Sequence, residues 1–307
     1  MDIVSWSSDV CLPESVGTIG FFDGVHRGHR FLLDQVRNLA GERQLDSSII
    51  TFEVHPRKVL QSDYQPELLT TAEEKYSLLA ATEIQHCIWM QFSKELSRLS
   101  AFDFMKLLLE KYHVRVLVIG YDHRFGHNRS EGFEDYCYNG QKLNMEVVRA
   151  KEFDSGGKTV SSSIIRKLLK AGKITQANEN LGYNYFLDGT VIEGHQVGRG
   201  IGFPTANIRL NNPDKLIPAD GVYASYVYLG NRKYKGMLNI GNRPTMQNGE
   251  ERSIEVNILN FSGEIYHQPL RIELVKYLRE ERKYPDISRL VEQMKKDKEL
   301  VSHLLDM

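Results

Sequence analysis

Two histidines three residues apart, His26 and His29, stand on a glycine-punctuated turn in the stretch GFFDGVHRGH at 20–29. Asp23 and Gly24 permit a sharp reversal there, and Gly28 lets the backbone approach a ligand between the two rings. The run before it, VGTIG, reads as a short buried strand, while RFLLDQVRNLAGER after it carries Leu32, Val36 and Leu39 at helical spacing. A strand–turn–helix junction presents free N–H groups and the positive end of a helix dipole, which suits a phosphate. Imidazoles at such a place donate hydrogen bonds to phosphate oxygens and offset charge that builds during attack at phosphorus. The same spacing also fits a surface histidine pair, or half of a metal site whose other ligands no cysteine cluster supplies.

Three further polar clusters follow the same logic. TFEVHPRKVL at 51–60 places His55 and Arg57 just past a second strand, and IGYDHRFGHNRSEG at 119–132 places Asp122, Arg124, His127 and Arg129 past a fourth. VSSSIIRKLL at 160–169 opens a helix with Ser161, Ser162 and Ser163 and adds Arg166 one turn in. Each alone also reads as a turn, a solvated face or an N-cap. On a doubly wound sheet all four converge on one rim.

A second constellation lies in GTVIEGHQVGRGIGFPTANIRL at 189–210. Gly198, Gly200 and Gly202 alternate around Arg199, which predicts a flexible loop able to close over phosphates. Thr205 and Asn207, two apart on an extended segment, point the same way and together suit a Mg²⁺ bound to nucleotide phosphates. A glycine-rich hairpin with Thr and Asn as turn formers is the plainer alternative. In RSIEVNIL, Ile254, Val256 and Ile258 share one strand face and Glu255 and Asn257 the other. Glu255 either faces solvent or accepts the proton of an alcohol attacking a γ-phosphorus in line.

These residues need a scaffold, and the chain of 307 residues is long enough for two domains. It is 41% hydrophobic and 26% charged, as soluble globular proteins are, and its net charge of -1 carries no basic excess of the kind nucleic acids or anionic membranes attract. Cys11, Cys87 and Cys137 form no C-x-x-C pair, so a disulfide framework and a zinc site are not expected and a reducing cytoplasm fits. The start, MDIVSWSSDVCLPE, does not read as a signal peptide, and apolar runs such as VLVIG are too short to span a bilayer.

Strand-like runs at 16–20, 47–52, 86–92, 114–121 and 145–150 alternate with helical patterns at 28–40, 72–81, 100–112 and 131–141. That alternation predicts a doubly wound parallel sheet with ligands at the carboxyl ends of its strands. Residues 162–181 read as two short helices stopped at Gly182. Beyond them, closely spaced strands with hairpin signals predict an antiparallel barrel. The tail from residue 285 carries Leu290, Met294, Val301 and Leu304 on one helical face and is expected to pack on that barrel.

GFFDGVHRGH and VSSSIIR resemble the HxGH and (I/V)SSTxIR signatures of nucleotidylyltransferases. With TFxxHPR and GYDHRFGxxR, the first half is similar to the FMN adenylyltransferase part of bacterial bifunctional riboflavin kinase/FAD synthetases. GRGIGFPTAN, the run at 218–224, LNIGNRPT, EVNIL and LREERKYPD resemble that family's riboflavin kinase module in order and spacing. The resemblance implies a Rossmann-like adenylyltransferase domain over 1–182 and a riboflavin kinase barrel with a C-terminal helix over 183–307. It implies phosphorylation of riboflavin to FMN and then adenylylation of FMN to FAD, with ATP and Mg²⁺; the charge balance and short apolar runs point to no nucleic-acid or membrane partner, and the sequence leaves an oligomer open.

By the same resemblance, Gly20, Phe21, Asp23, Gly24, His26, His29, Ser162, Ser163 and Arg166 form the first ATP site, with the two histidines and Arg166 active in catalysis. His55, Arg57, Asp122 and Arg124 are expected on the flavin side, with Asp122 and its loop candidates for flavin or adenine contacts. In the second half, Gly198, Arg199, Gly202, Thr205 and Asn207 hold ATP, Thr205 and Asn207 the metal, Glu255 is the base and Arg279 meets the flavin. The chain departs from the family at Val54 (commonly Pro), His123 (commonly aromatic, often Phe), Ser163 (commonly Thr), Asn257 (commonly His) and His267 (commonly Gly). A different acceptor, such as pantetheine phosphate or a nicotinate nucleotide, and a non-catalytic flavin carrier are the competing expectations.

Overall fold

Apolar strands of the first half pair side by side because both of their faces are covered. The computed structural model describes all residues except 6–10, 62, 64, 66, 122, 128, 129, 158, 195, 196, 245–249 and 307. It divides into two compact units, Met1–Ser162 and Ser163–Met307.

The first unit runs β1 (Asp2–Ser5), β2 (Ser15–Ile19), α1 (Arg27–Arg43), β3 (Asp46–Phe52), α2 (Pro56–Leu60), α3 (Ala72–Ala80), β4 (His86–Met90), α4 (Ala101–Tyr112), β5 (Val114–Ile119), α5 (Phe133–Leu143) and β6 (Glu146–Arg149). The strands form a six-stranded sheet in the order β1-β4-β3-β2-β5-β6, every pair parallel. Successive side chains enter opposite cores. Ile49, Cys87, Val116 and Val118 pack with Leu33, Val36 and Ala40 of α1. Ile50, Ile88, Leu117 and Ile119 pack with Phe104, Met105 and Leu108 of α4. Two-sided burial is why these strands read as unbroken apolar runs.

Every strand expected for this half is present. The structure adds β1, an edge strand whose Val4 is buried while Ile3 is exposed, so it carries too few apolar positions to register as a pattern. α1 buries Leu33, Val36 and Ala40, with Leu32 and Leu39 partly covered. Ser100 caps α4 by accepting the Asp103 N–H at 3.0 Å.

α6 (Ser162–Lys170) begins at the last residue of the first unit. The second unit continues with α7 (Ile174–Leu181), β7 (Phe186–Ile192), α8 (Val197–Gly200), β8 (Ala206–Leu210), β9 (Gly221–Leu229), β10 (Arg232–Pro244), β11 (Glu250–Ile258), β12 (Pro269–Arg279) and α9 (Ile287–Leu304). The strands close into an antiparallel barrel in the order β10-β11-β8-β7-β12-β9. Compactness groups α7 with this barrel: Asn178 Nδ2 donates to Leu274 O at 2.8 Å, and Asn178 Oδ1 accepts from Tyr185 N. α9 buries Val301 and half-buries Met294 and Leu304 against Phe203, Ala224, Met237 and Leu259. Part of the expected glycine-rich loop is instead the short helix α8, followed by a turn in which Phe203 N returns to Gly198 O at 2.9 Å.

Gly182 ends α7 in the left-handed region at φ 79°, its N–H on Asn178 O. A side chain there meets the steric cost of that region. Gly182→Ala is therefore expected to destabilise the chain by about 1 kcal/mol, and Gly182→Asn by less, measured by urea unfolding.

Candidate functional site

The turn after β2 is held in an unusual path. Phe22 (φ 55°), Gly24 (φ 80°) and Val25 (φ 35°) all have positive φ. Two of these are not glycine, so the surroundings must impose the conformation. The buried Asp23 carboxylate does much of this. It accepts Leu69 N and Thr70 N at 3.1 Å each and Thr70 Oγ1 at 3.3 Å, while Gly24 N donates to Thr70 Oγ1 at 3.0 Å. Asp23 O accepts the Ser162 hydroxyl at 2.9 Å, so the serine-rich turn meets the histidine turn at the backbone.

His26 is the N-cap of α1, its Nδ1 accepting His29 N–H at 3.3 Å. An accepting Nδ1 carries no proton, so in the neutral ring the proton sits on Nε2. The rings of His26 and His29 stack with centroids 3.6 Å apart. A Cβ at Gly28 would press on the His26 ring at 3.3 Å, so glycine is the residue that lets this stack lie flat on the turn. Burial of the His29 ring, followed by the nearby His26, His123 and Lys75, holds its pKa well below the usual 6.5. The resting His29 is thus neutral and contributes hydrogen bonding; a polyphosphate beside it favours the charged ring and raises that pKa. Its buried Nδ1 has no hydrogen-bond partner among the described residues.

The loop after β3 lies beside this turn, with the His55 ring 4.6 Å from that of Phe21. His55 Nδ1 accepts Arg57 N at 3.2 Å, and Arg57 itself is exposed. After β5, Arg124 is exposed and His123 N returns to Gly120 O at 3.0 Å. Asp122 and Arg129 lie outside the described residues. The first unit therefore gathers Gly20, Phe21, Asp23, Gly24, His26, His29, His55 and Ser162 at the carboxyl ends of β2 and β3. Ser163 and Arg166 follow Ser162 along α6, within the second compact unit.

In the second unit a cavity of about 260 Å³ is lined by Thr205, Asn239, Glu255, Asn257 and Arg279, with Leu290, Met294 and Asp297 from α9. Strand register places its polar groups. Glu255 of β11 stands opposite Asn207 of β8 on one side and Asn239 of β10 on the other. Glu255 Oε2 lies 3.4 Å from Thr205 Oγ1. Ile254, Val256 and Ile258 are buried behind it, so Glu255 looks toward the cavity under α9 and not into bulk solvent. Asn257 Nδ2 donates to Pro204 O at 2.7 Å and anchors the segment that carries Thr205.

The Thr205 hydroxyl and Glu255 carboxylate, with Asn207 opposite Glu255 in strand register, offer hard oxygen donors of the kind that suits a small divalent cation keeping waters and phosphate oxygens as its other ligands. Among the described residues no group of three or more His, Cys, Asp and Glu side chains could cage a metal. Gly198 lines the cavity; Gly202 has φ 81°, and the Arg199 side chain lies outside what is described.

Arg279 is not a free cation. β12 shifts register against β9 between Tyr277 and Arg279, a device that re-aims side chains. Arg279 Nε and Nη2 donate to Asp297 Oδ2 at 3.0 and 2.7 Å, and Gln293 Nε2 donates to Asp297 Oδ1 at 2.8 Å. The sequence reading passed over Asp297 and, in the first unit, over Lys75 and Thr70. A signal existed for the two charged ones. Asp297 interrupts the apolar stripe of Met294 and Val301, and Lys75 stands one turn before Leu79 on the covered face of α3.

A family model described as FAD synthetase matches residues 9–164, and one described as riboflavin kinase matches 181–305. A bifunctional riboflavin kinase/FMN adenylyltransferase of Listeria monocytogenes is 35% identical over 92% of this chain and 90% of its own. One of Bacillus subtilis is 35% identical over 93% and 91%. A Streptococcus pneumoniae crystal structure named as a macrolide-efflux protein superposes with a TM-score of 0.88 at 27% identity, covering 98% of both chains. Among the described residues no helix is long and apolar enough to cross a membrane. Two matched modules in the order of the two folded units, and relatives aligned along nearly the whole length, lead to one conclusion: the chain belongs to the family of bifunctional riboflavin kinase/FMN adenylyltransferases.

Proposed function

We infer that this protein phosphorylates riboflavin with ATP to give FMN and ADP, then joins FMN to AMP from a second ATP to give FAD and pyrophosphate. The observation that carries the reading is a carboxylate, Glu255, that lines a cavity walled by α9, lies 3.4 Å from Thr205 and stands opposite Asn207 and Asn239 in strand register. A flavin carrier has no use for a base beside a phosphate-binding loop. We assign the functional halves as 1–182 and 183–307, following the change from alternating β and α elements to the barrel. We place the protein in the cytoplasm, where ATP is supplied and its free cysteines stay reduced.

In the kinase half, Glu255 accepts the proton of the ribityl 5′-hydroxyl as its oxygen bonds to the γ-phosphorus and the bond to the ADP oxygen breaks. Thr205 and Asn207 hold the nucleotide end, and Mg²⁺, the divalent ion we assign to them, supplies neutralisation of phosphate charge. Gly198 and Arg199 of α8, with Gly202 in the turn after it, are assigned to cover the phosphates. Arg279, with its fork committed to Asp297, offers its planar face to the flavin side of the cavity.

In the adenylyltransferase half, a phosphate oxygen of FMN attacks the α-phosphorus of ATP and the bond to pyrophosphate breaks. That oxygen is already ionised near neutral pH, so the step needs positioning and charge stabilisation more than a base. His26 donates from Nε2, His29 becomes charged as phosphate arrives, and Ser162, Ser163 and Arg166 complete the grip. Gly20, Phe21, Asp23 and Gly24 shape the turn. His55, Arg57, Asp122 and Arg124 are assigned to the FMN side.

The test separates flavins formed over time from riboflavin, ATP and Mg²⁺, and separately from supplied FMN. His29→Ala is expected to slow FAD formation about 100-fold or more while FMN formation continues. Glu255→Gln is expected to slow FMN formation about 100-fold or more and to leave supplied FMN convertible to FAD. Equal loss of both steps in either variant would remove the assignment of one chemistry to each half, and an undiminished kinase rate in Glu255→Gln would remove Glu255 as base.

A further inference from the structure

Lys75 is a charged side chain that neither half-reaction explains. It is 2% exposed, on the covered face of α3. Its Nζ donates to Phe52 O at 2.7 Å and to Phe21 O at 3.1 Å, and it stands 4.0 Å from the centroid of the Phe21 ring and 5.0 Å from that of Trp89. Among the described residues no carboxylate accepts a hydrogen bond from it. Burying an ammonium against carbonyls and aromatic faces is expensive, so its location needs a reason.

The two carbonyls supply one. Phe52 is the last residue of β3, where the loop bearing His55 and Arg57 begins. Phe21 lies two residues past β2, at the root of the turn bearing His26 and His29. Phe21 O also accepts the Thr51 hydroxyl at 3.3 Å, and the Phe21 ring meets His55 edge-on. One ammonium therefore ties together the starts of two loops that leave neighbouring parallel strands. Its own helix is registered on the same turn, because Asp23 accepts Leu69 N and Thr70 N and Thr71 with Glu74 closes a capping box at the start of α3. Asp23 ties the turn to the segment just before α3, and Lys75 ties it to α3 itself.

We propose that Lys75 is a positioning residue for adenylyl transfer: its buried ammonium holds the histidine turn and the His55 loop at the separation the reaction requires and places positive charge beneath the phosphates. The proposal rests on the assignment of that turn to the FMN adenylyltransferase site. Three protons in tetrahedral array suit two carbonyls and one aromatic face, and an uncharged donor supplies the hydrogen bonds without the field.

The charge can be read by titration. Burial lowers the Lys75 pKa to about 8, against the opposing pull of Asp23 and Cys87. The ionisable groups around it are Asp23 from the turn, Cys87 from β4 and His29 from α1. The Cys87 thiol is pushed up to about 12 and the His29 pKa lies well below the usual value, so between neutral and moderately alkaline pH Lys75 is the member that changes charge. Its ammonium is present below about 8 and lost above, so FAD formation from FMN is expected to fall through that range while FMN formation by the other half does not.

The experiment uses the full chain with ATP, Mg²⁺ and either riboflavin or FMN, across the pH range spanning that pKa. Lys75→Met is expected to lower kcat for FAD formation about 100-fold with FMN formation unchanged, and Lys75→Arg to recover part of the rate with no decline over the same pH range. His29→Ala run alongside separates two failures. If it leaves FAD formation near the parent rate, the site assignment falls. If it cripples FAD formation while Lys75→Met does not, only the role of Lys75 falls. Should Lys75→Met fail to fold, the profiles of the parent and Lys75→Arg decide: an alkaline decline that stays in place in Lys75→Arg overturns the proposal.

Discussion

The placement of both ends of a parallel sheet's loops depends here on a buried carboxylate, Asp23, facing backbone N–H groups from a segment 46 and 47 residues away. A buried carboxylate needs partners or its charge is prohibitive, and three donors from Leu69 and Thr70 meet that need. The result is a turn with positive φ at Phe22, Gly24 and Val25 that leaves α1 free to start at Arg27 with His26 as its cap. Without that constraint the two imidazoles have no reason to stack face to face. Much of the first site is the consequence of satisfying one acidic side chain.

The barrel solves a different problem by register. An antiparallel wall offers side chains in fixed cross-strand rows, so a carboxylate at one position of β11 is delivered between two asparagines from β8 and β10 without any dedicated loop. α9 then closes the row from outside, with Val301 and Met294 supplying apolar area and Asp297 a buried counter-charge for Arg279. A paired guanidinium is held rigid and keeps its planar face uncovered by the pairing. In both units a charge is buried where the fold has made it affordable, and in both the buried charge fixes a neighbouring loop or strand end.

Elements with strong patterning were legible in the chain. The strands β2 to β5 carry residues buried on both faces, β6 carries two half-buried valines, and α1, α4 and α9 carry apolar stripes, so their existence follows from composition and period. β1 was not legible, since one buried valine makes no pattern. The short helix α8 was hidden among glycines, whose side chains leave no signature of helix or loop. The site histidines, Thr205, Asn207 and Glu255 stood out because their residue types recur in phosphate chemistry. Lys75 and Asp297 did not, because a lone charge on an apolar stripe looks like an interruption until a partner is known.

The amino-acid sequence by itself determined the order of elements, the class of each half and the residue types available for phosphoryl and adenylyl transfer, because period and motif spacing are local properties. Only the tertiary structure decided which charges are buried and what they hold: Asp23 against Thr70, Lys75 across Phe21 and Phe52, Arg279 on Asp297 and Glu255 between Asn207 and Asn239. These pairings join residues from 16 to 54 positions apart along the chain. They are strong because the interior around them has a low dielectric, which no window of sequence contains.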